Sequence, residues 1–336
     1  MTRVCVLTTS YPRGADDVNG AFVAGQVEAL RREGIEVDVV HPGAFRDFGV
    51  AGGDGIVQNL RARPWLAAAV PLFLASFARA ARRAARGADV VHAHWIPSAL
   101  PALATGRPYV LQVWGTDVEL ARRVRPLVRP LLERAAAVVA GSRYLAAAAE
   151  ELGAGGVTVI PNGIDLPPEP VAPAEPPHVL FAGRLSDEKG IDEFLQATRG
   201  LERVVVGDGP RRDLVPDAVG FVPPSRLGSY YERAAVVCVP SRREGYGMVA
   251  REAMAYGRPV VATAVGGLAD AVEDGVTGLL VPQRDPGALR AALERLLGDP
   301  ELRRTLGAAA RARAAERFTW GAFAAAAQDV YERARA

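Results

Sequence analysis

Two cations and two carboxylates in the second half of this 336-residue chain have the types and spacing to hold a phosphorylated, hydroxyl-rich ligand. Arg184 and Lys189 lie in AGRLSDEKG, directly after an apolar run; Glu244 and Glu252, with seven residues between them, lie in SRREGYGMVARE, directly after another. Lys189 is the only lysine among 40 basic residues, the rest all being arginine. An ammonium kept where guanidinium serves everywhere else differs from it in size, hydration and geometry, and suits a single phosphate oxygen. Gly245 and Gly247 break the loop between the strand and a helix beginning near Met248. The backbone can therefore approach a ligand closely, and the N–H groups of the helix start can bind an anion without a side chain. Glu244 in the loop and Glu252 about a turn inside the helix then face one ligand at different depths, each suited to holding hydroxyl groups.

A diphosphate also needs countercharge. No Asp-x-Asp pair occurs, and the four histidines are scattered, so no metal cage is expected. Arg184 and Lys189 take its place as fixed cations, aimed where charge develops as a diphosphate leaves. A lone glutamate near a helix start is most often a solvated residue favoured by the helix dipole, and a lysine before a loop glycine is most often a surface cation. The reading rests on the four side chains and the glycine loop occurring in register. GDGP at 207–210 follows a strand, but Pro210 and Arg212 replace the rest of a dinucleotide fingerprint. His92 and His94 alternate along DVVHAH and are expected on opposite faces, at least one of them packed rather than reactive.

The elements that must carry these side chains follow a βαβ rhythm. Short runs rich in Val and Ile (VCVLTT, VDVVHP, DVVHAH, YVLQVWG, AAVVAGS, VTVIPNG) alternate with longer Ala-rich helical segments through the first half. Residues 166–177, LPPEPVAPAEPP, hold too many prolines for a helix or an inner strand and are expected as a stiff connector. The rhythm restarts with HVLFAGR, RVVVGDGP, AVGFV, AAVVCVP, PVVATAV and GLLVP. The expected domains are therefore 1–165, a linker at 166–177, 178–316, and a C-terminal helix at 317–336 packing back toward the first domain. Each domain is expected to be a doubly wound parallel sheet, the two facing a central cleft into which strand carboxyl ends present ligand sites.

Composition bounds the alternatives. About half the residues are apolar and about a quarter charged, with net charge +2, a globular profile with no basic tail and no demand for nucleic acid. Cys5 and Cys238 sit in apolar strand-like runs, as isolated buried thiols do, which fits a reducing cytoplasm; the N-terminal strand ending at a proline does not read as a signal peptide. The tract Trp65–Ala78 is shorter than the roughly 20 residues of a bilayer span and contains Pro71, so no crossing is expected. Leu60–Arg86 nevertheless combines Trp65, Leu66, Leu72, Phe73 and Phe77 with six arginines. Peripheral contact with the inner membrane face is one reading of it, and a core-facing helix with an arginine-coated outer side is the favoured one.

The motifs together resemble the retaining glycosyltransferases of family 4, group 1, with the two-domain GT-B architecture. The resemblance is carried by NGAFVAGQVEALRREGIEVDVV, VIPNGID, FAGRLSDEKG, VVVGDGP, the Glu244 to Glu252 pair and VGG at 265–267, and it spans nearly the whole chain. It implies transfer of a sugar from a nucleotide-diphosphate sugar to a glycolipid, polysaccharide or small-molecule acceptor, with no cofactor and no metal. Carried over residue by residue, it implies that Arg184 and Lys189, beside Gly183, bind the diphosphate and that Glu252 binds the ribose. Glu244, with the backbone of Gly245, Tyr246, Gly247, Met248 and Val249, meets the donor sugar; Phe221 and Val222 lie near the base and Gly20 near the donor. Glu244, Arg184 and Lys189 are the expected catalytic set. Many relatives have a His-Gly pair in the first domain where this chain reads Trp114-Gly115-Thr116-Asp117, leaving His94, Trp114 and Asp117 as expected acceptor-side residues. A sugar-nucleotide epimerase or hydrolase on the same fold, and a catalytically silent binding subunit, are the alternatives.

Overall fold

The computed structural model describes residues 2–14, 17–51, 55–169 and 171–336. The chain folds as two units, residues 1–163 with 320–336, and residues 164–319.

The first unit is built on a six-stranded, wholly parallel sheet of order β2-β1-β3-β4-β5-β6. Its strands are β1 (Arg3–Leu7), β2 (Glu36–Val40), β3 (Val90–His94), β4 (Tyr109–Val113), β5 (Ala137–Ala140) and β6 (Val157–Val159). The inner strands β3 and β4 are buried along their whole length, as strands covered by helices on both faces must be. The helices between them are α1 (Ala21–Arg32), α2 (Ile56–Ala62), α3 (Val70–Ala84), α4 (Ala99–Leu103), α5 (Thr116–Ala121), α6 (Arg125–Glu133) and α7 (Arg143–Leu152). Helix α7 starts where the Ser142 side chain accepts a hydrogen bond from the Leu145 N–H and stops at Gly153 in the left-handed region, a start and stop written in the sequence.

The second unit has a five-stranded parallel sheet of order β11-β10-β9-β7-β8. Its strands are β7 (Val179–Ala182), β8 (Arg203–Val206), β9 (Val236–Val239), β10 (Val260–Thr263) and β11 (Gly278–Val281). Helices α8 (Ile191–Ala197), α9 (Pro224–Arg233), α10 (Met248–Ala255), α11 (Gly266–Ala271), α12 (Pro286–Gly298) and α13 (Pro300–Arg317) cover it. AVGFV, expected as a strand, makes only a single antiparallel bridge from Gly220 to Gly207. Gly220 sits at φ 89° and Pro223 follows, so the run cannot continue a ladder.

The last helix, α14 (Trp320–Arg335), belongs to the first unit, where Phe323, Ala324, Ala327, Val330 and Tyr331 join Val4, Val6, Val27 and Leu30 in one apolar cluster. Its first residue explains two glycines: a methyl group on Gly25 or Gly163 would come within 2.3 or 2.2 Å of the Trp320 ring. The proline-rich segment lies against the second unit. Arg311 donates to the carbonyls of Pro167 and Pro168 at 2.7 and 3.0 Å, Arg258 donates to Val171, and the Ala174 N–H donates to Arg233. Proline has no N–H, but it keeps a carbonyl, and arginines dock the run as a strap rather than leaving it a free-standing spacer. Pro170 of that segment lies outside the described residues.

Candidate active site

In the second unit the chain leaves β7 to pair on one side as β8 and returns on the other as β9. At such a switch point the loops after the two central strands part, leaving a crevice at their carboxyl ends where open α/β sheets bind ligands. The β7 loop carries Gly183, Arg184 and Lys189; the β9 loop carries Glu244 through Gly247. Backbone contacts lock the two loops together. Gly190, at φ 69°, packs so closely on the Pro240 carbonyl that an added methyl would lie 2.0 Å from its oxygen, and the Arg242 N–H donates to Glu188 at 2.9 Å. VGG closes the far side, since the Gly267 N–H donates to the Glu244 carbonyl at 2.9 Å and a side chain at 267 would strike the carbonyls of Gly245 and Tyr246.

Across this junction the Lys189 ammonium reaches Glu244 Oε2 at 2.6 Å, both side chains partly shielded. Ser241 Oγ donates to the same oxygen at 3.3 Å, so both bonds fall on one carboxylate oxygen, and none to Oε1 is found among the described residues. Neighbouring arginines are compensated: Arg211 by Asp192 (2.8 Å) and Asp187 (3.2 Å), Arg242 by Glu193 (2.8 Å), and Arg243 by Glu188 (3.4 Å). Arg184 is exposed and makes no ion pair among the described residues. A loop otherwise neutralised pair by pair thus keeps one uncompensated guanidinium beside the crevice, which is where an anion gains most from charge-assisted hydrogen bonds.

Helix α10 begins at Gly247, in the left-handed region at φ 85° with no side-chain cap. Glu252, partly buried, accepts a hydrogen bond from Tyr231 Oη of α9 at 2.7 Å. Burial raises its carboxyl above the ordinary range, the Tyr231 hydrogen bond opposes the rise, and the charge of Asp165 adds to it. Such a carboxylate is short of donors and gains from each ligand hydroxyl it accepts. Phe221 is exposed, and Val222, partly buried, packs on the core of the second unit. Gly20 lies in the first unit as the residue before α1, its Cα so near the Ser10 carbonyl that a methyl would come within 2.3 Å of the oxygen.

The acceptor-side expectations fare differently. Residues two apart on a strand share a face, so His92 and His94 stand on the same side of β3, rings stacked 4.3 Å apart, and the expectation of opposite faces is corrected. His92 Nδ1 lies 2.7 Å from Tyr331 Oη of α14; His94 is buried between His92 and Trp114. Burial lowers both imidazoles, His92 to about 4, and keeps them neutral. Asp117 is also buried, with both oxygens occupied by backbone: Oδ2 accepts from the Ile96 N–H at 3.1 Å, and Oδ1 from Trp114 at 3.1 Å and Gly115 at 2.9 Å. It braces the loops after β3 and β4 rather than facing an acceptor. Of the three residues only Trp114 reaches the surface, in an aromatic cluster with Phe22 (4.3 Å) and Trp95 (5.9 Å).

Three residues escaped the sequence reading. Trp95, at the end of β3, holds φ 62°, a conformation uncommon outside glycine and costly for a bulky side chain. Tyr231 orients Glu252, but nothing in SYYERA distinguishes it from Tyr230. Arg251 is 1% exposed. Its guanidinium lies 3.8 Å from the Tyr246 ring centre and 4.8 Å from that of Phe318. It donates to the Tyr246 carbonyl and, more weakly, to those of Gly267 (3.4 Å) and Gly247 (3.5 Å). The signal was available: at 100° per residue position 251 falls between Met254 and Ala255, two buried positions of α10. Because C=O and N–H point opposite ways across a trans peptide, holding the Tyr246 carbonyl inward turns the Gly247 N–H away from the core.

Comparison with known proteins places both halves of the chain in one family. Residues 20–167 match the family model "Glycosyltransferase Family 4" and residues 165–313 match "Glycosyl transferases group 1". A D-inositol 3-phosphate glycosyltransferase of Kineococcus radiotolerans is 33% identical, the alignment covering 96% of this chain and 92% of that one. The sucrose-phosphate synthase of Thermosynechococcus elongatus superposes with a TM-score of 0.83 at 26% identity, covering 99% of both chains. HepE of Anabaena, solved with UDP-glucose, shares the fold at 21% identity with a TM-score of 0.70 over 99% of both chains. With both halves matched by these models and a relative aligned along nearly its full length, the chain belongs to the group 1 glycosyltransferases of family 4, built on the GT-B fold.

Proposed function

We propose that this glycosyltransferase moves a sugar, with retention of configuration, from a nucleotide-diphosphate sugar to a hydroxyl of a glycolipid, polysaccharide or small-molecule acceptor. The observation that carries the reading is the β7–β9 switch point of the second unit, where uncompensated Arg184 and the Lys189–Glu244 pair on locked loops meet Tyr231-oriented Glu252 in the first turns of α10. Arg184 and Lys189 take the diphosphate, Glu252 the ribose hydroxyls, and Glu244 with the start of α10 the donor sugar. As the bond from the anomeric carbon to phosphate breaks, the two cations stabilise the charge left on the diphosphate. The acceptor oxygen bonds to the anomeric carbon on the same face, and its proton passes to the departing phosphate oxygen, so no protein base is required. Acceptor contacts fall to Phe22, Trp95 and Trp114, whose aromatic faces suit the apolar side of a sugar ring, in place of the buried His94 and Asp117.

The charge balance at the diphosphate is met by side chains, so turnover is expected without added metal. The test is a panel of UDP-, GDP-, ADP- and TDP-sugars, assayed for binding and turnover with and without chelator. Lys189→Ala is expected to lose donor affinity for every member of the panel. Full activity of that variant, or activity abolished by chelator and restored by a divalent cation, would overturn this assignment of the diphosphate charge.

A further inference from the structure

We infer that the exposed face of α3 and the turn before it dock this protein on the surface of an anionic lipid bilayer. The stretch Pro64–Gly87 is long and apolar enough to span a membrane by length and composition, yet only 22% of its most apolar window is buried in the protein. A helix that served the core alone would hide that surface. The helix divides into two faces at 100° per residue. Phe73, Phe77, Ala80 and Ala81 enter the core of the first unit, Phe73 and Phe77 packing on Phe45. That commitment keeps α3 from leaving the fold to cross a bilayer. The opposite face reads Leu72, Ala75, Arg79 and Arg83, continued by Arg86 in the 3₁₀ turn Ala85–Gly87, all exposed, apolar at its start and basic at its end. Trp65, in the 3₁₀ turn Pro64–Ala69, extends the apolar end at 69% exposure, with Leu72 at 57%. Tryptophan beside leucine, ahead of a row of arginines, is the pattern of a segment that sits at the headgroup level.

Charge selects the occupant. Residues 55–88 hold six arginines and no acidic residue. Arg61, Arg63, Arg79, Arg83 and Arg86 make no ion pair among the described residues, whereas elsewhere in the chain arginines are repeatedly paired with carboxylates. An apolar tip ringed by uncompensated guanidinium groups is complementary to acyl chains beneath anionic headgroups. A protein partner of this face would need its own apolar patch ringed by acid, and the experiment separates the two.

The probes are extruded vesicles of phosphatidylcholine with about 30% phosphatidylglycerol, and of phosphatidylcholine alone, in a sedimentation assay at low and high salt with the full chain. The wild type is expected to sediment with the anionic vesicles, more weakly at high salt, and poorly with the neutral ones. Each arginine near an anionic surface is worth about fivefold in partitioning, so R79Q/R83Q/R86Q is expected to bind about 100-fold less. W65S/L72S is expected to bind at least tenfold less, because the apolar insertion is lost. All five side chains are exposed, so thermal melting should match wild type and report intact folding. A wild type that ignores anionic vesicles overturns the inference, as does vesicle binding that survives both variants. The readout does not involve the donor, so its failure is distinct from any failure of the sugar-transfer reading.

Discussion

Arg251 offers the sharpest test of how the donor loop is held. Substituting Met keeps an unbranched side chain between Tyr246 and Phe318 and removes the guanidinium. The carbonyls of Tyr246 and Gly267 then lose a donor, while Gly247 keeps the Arg251 main-chain N–H at 3.3 Å. Each stranded buried acceptor costs about 1–3 kcal/mol, and the desolvated cation–π contact adds about 2 kcal/mol. Relief from burying a charge returns several kcal/mol, since burial already lowers the Arg251 pKa from its usual value. The net loss is about 2–3 kcal/mol, or roughly 4–12 °C in the melting temperature of a unit this size. Loosening two loop residues adds about 2–3 kcal/mol of ordering to donor binding, so Kd for the best nucleotide sugar should rise about 30- to 100-fold. Calorimetry and thermal melting read both quantities. Arg251→Lys, with charge but no planar fork, should recover only part of the affinity. A Met variant with wild-type melting and a donor Kd within twofold would refute the clamp.

Four further outcomes follow from the same geometry. Tyr231→Phe removes the hydrogen bond that opposes burial at Glu252, so donor Kd should rise about fivefold and the onset of binding, followed by titration calorimetry, should move to higher pH. Glu252→Gln should weaken every nucleotide sugar in the panel, while Glu244→Gln should depend on the sugar; equal losses would undo that division. Unfolded, His92 and His94 titrate near 6.5; folded, both are held below it, His92 at about 4, so the unfolded chain binds more protons between those values. Stability should therefore be full above about pH 6.5 and fall by about 3 kcal/mol from His92 alone by pH 4, as denaturant melts will show. Trp95→Ala should raise the acceptor KM at least fivefold and leave donor Kd unchanged.

The sheets, the glycine-broken loop and the placing of Arg184, Lys189, Glu244 and Glu252 after β7 and β9 were legible because each depends on local pattern: runs of β-branched residues, a proline stop, glycines beside a helix start. What was not legible depends on long-range contact. Gly25 and Gly163 are small because Trp320, far along the chain, fills their space. Asp117, expected on the acceptor side, is instead a brace on which three backbone N–H groups converge, two from the β4 loop and one from the β3 loop. The helical period could place Arg251 on the buried side of α10, but not its partners, the Phe318 ring and the Gly267 carbonyl, which come from farther along the chain. The prolines of 166–177 keep the described residues of that run out of helix and strand, while Arg311 on the Pro167 and Pro168 carbonyls and Arg258 on that of Val171 make the segment part of the second unit. The strand period was enough to place His92 and His94 on one face, and the stacked rings follow from it.

The central claim is that the β7 and β9 loops of the second unit bind a nucleotide-diphosphate sugar through Arg184, Lys189, Glu244 and Glu252. It is tested most directly by titrating UDP-, GDP-, ADP- and TDP-sugars calorimetrically into wild type, Arg184→Ala and Lys189→Ala, with circular dichroism confirming the fold of each. At least one sugar should bind wild type in the micromolar range, and each single variant should lose about 10- to 100-fold, the worth of one charge-assisted phosphate contact. Undiminished affinity in both folded variants would contradict the account.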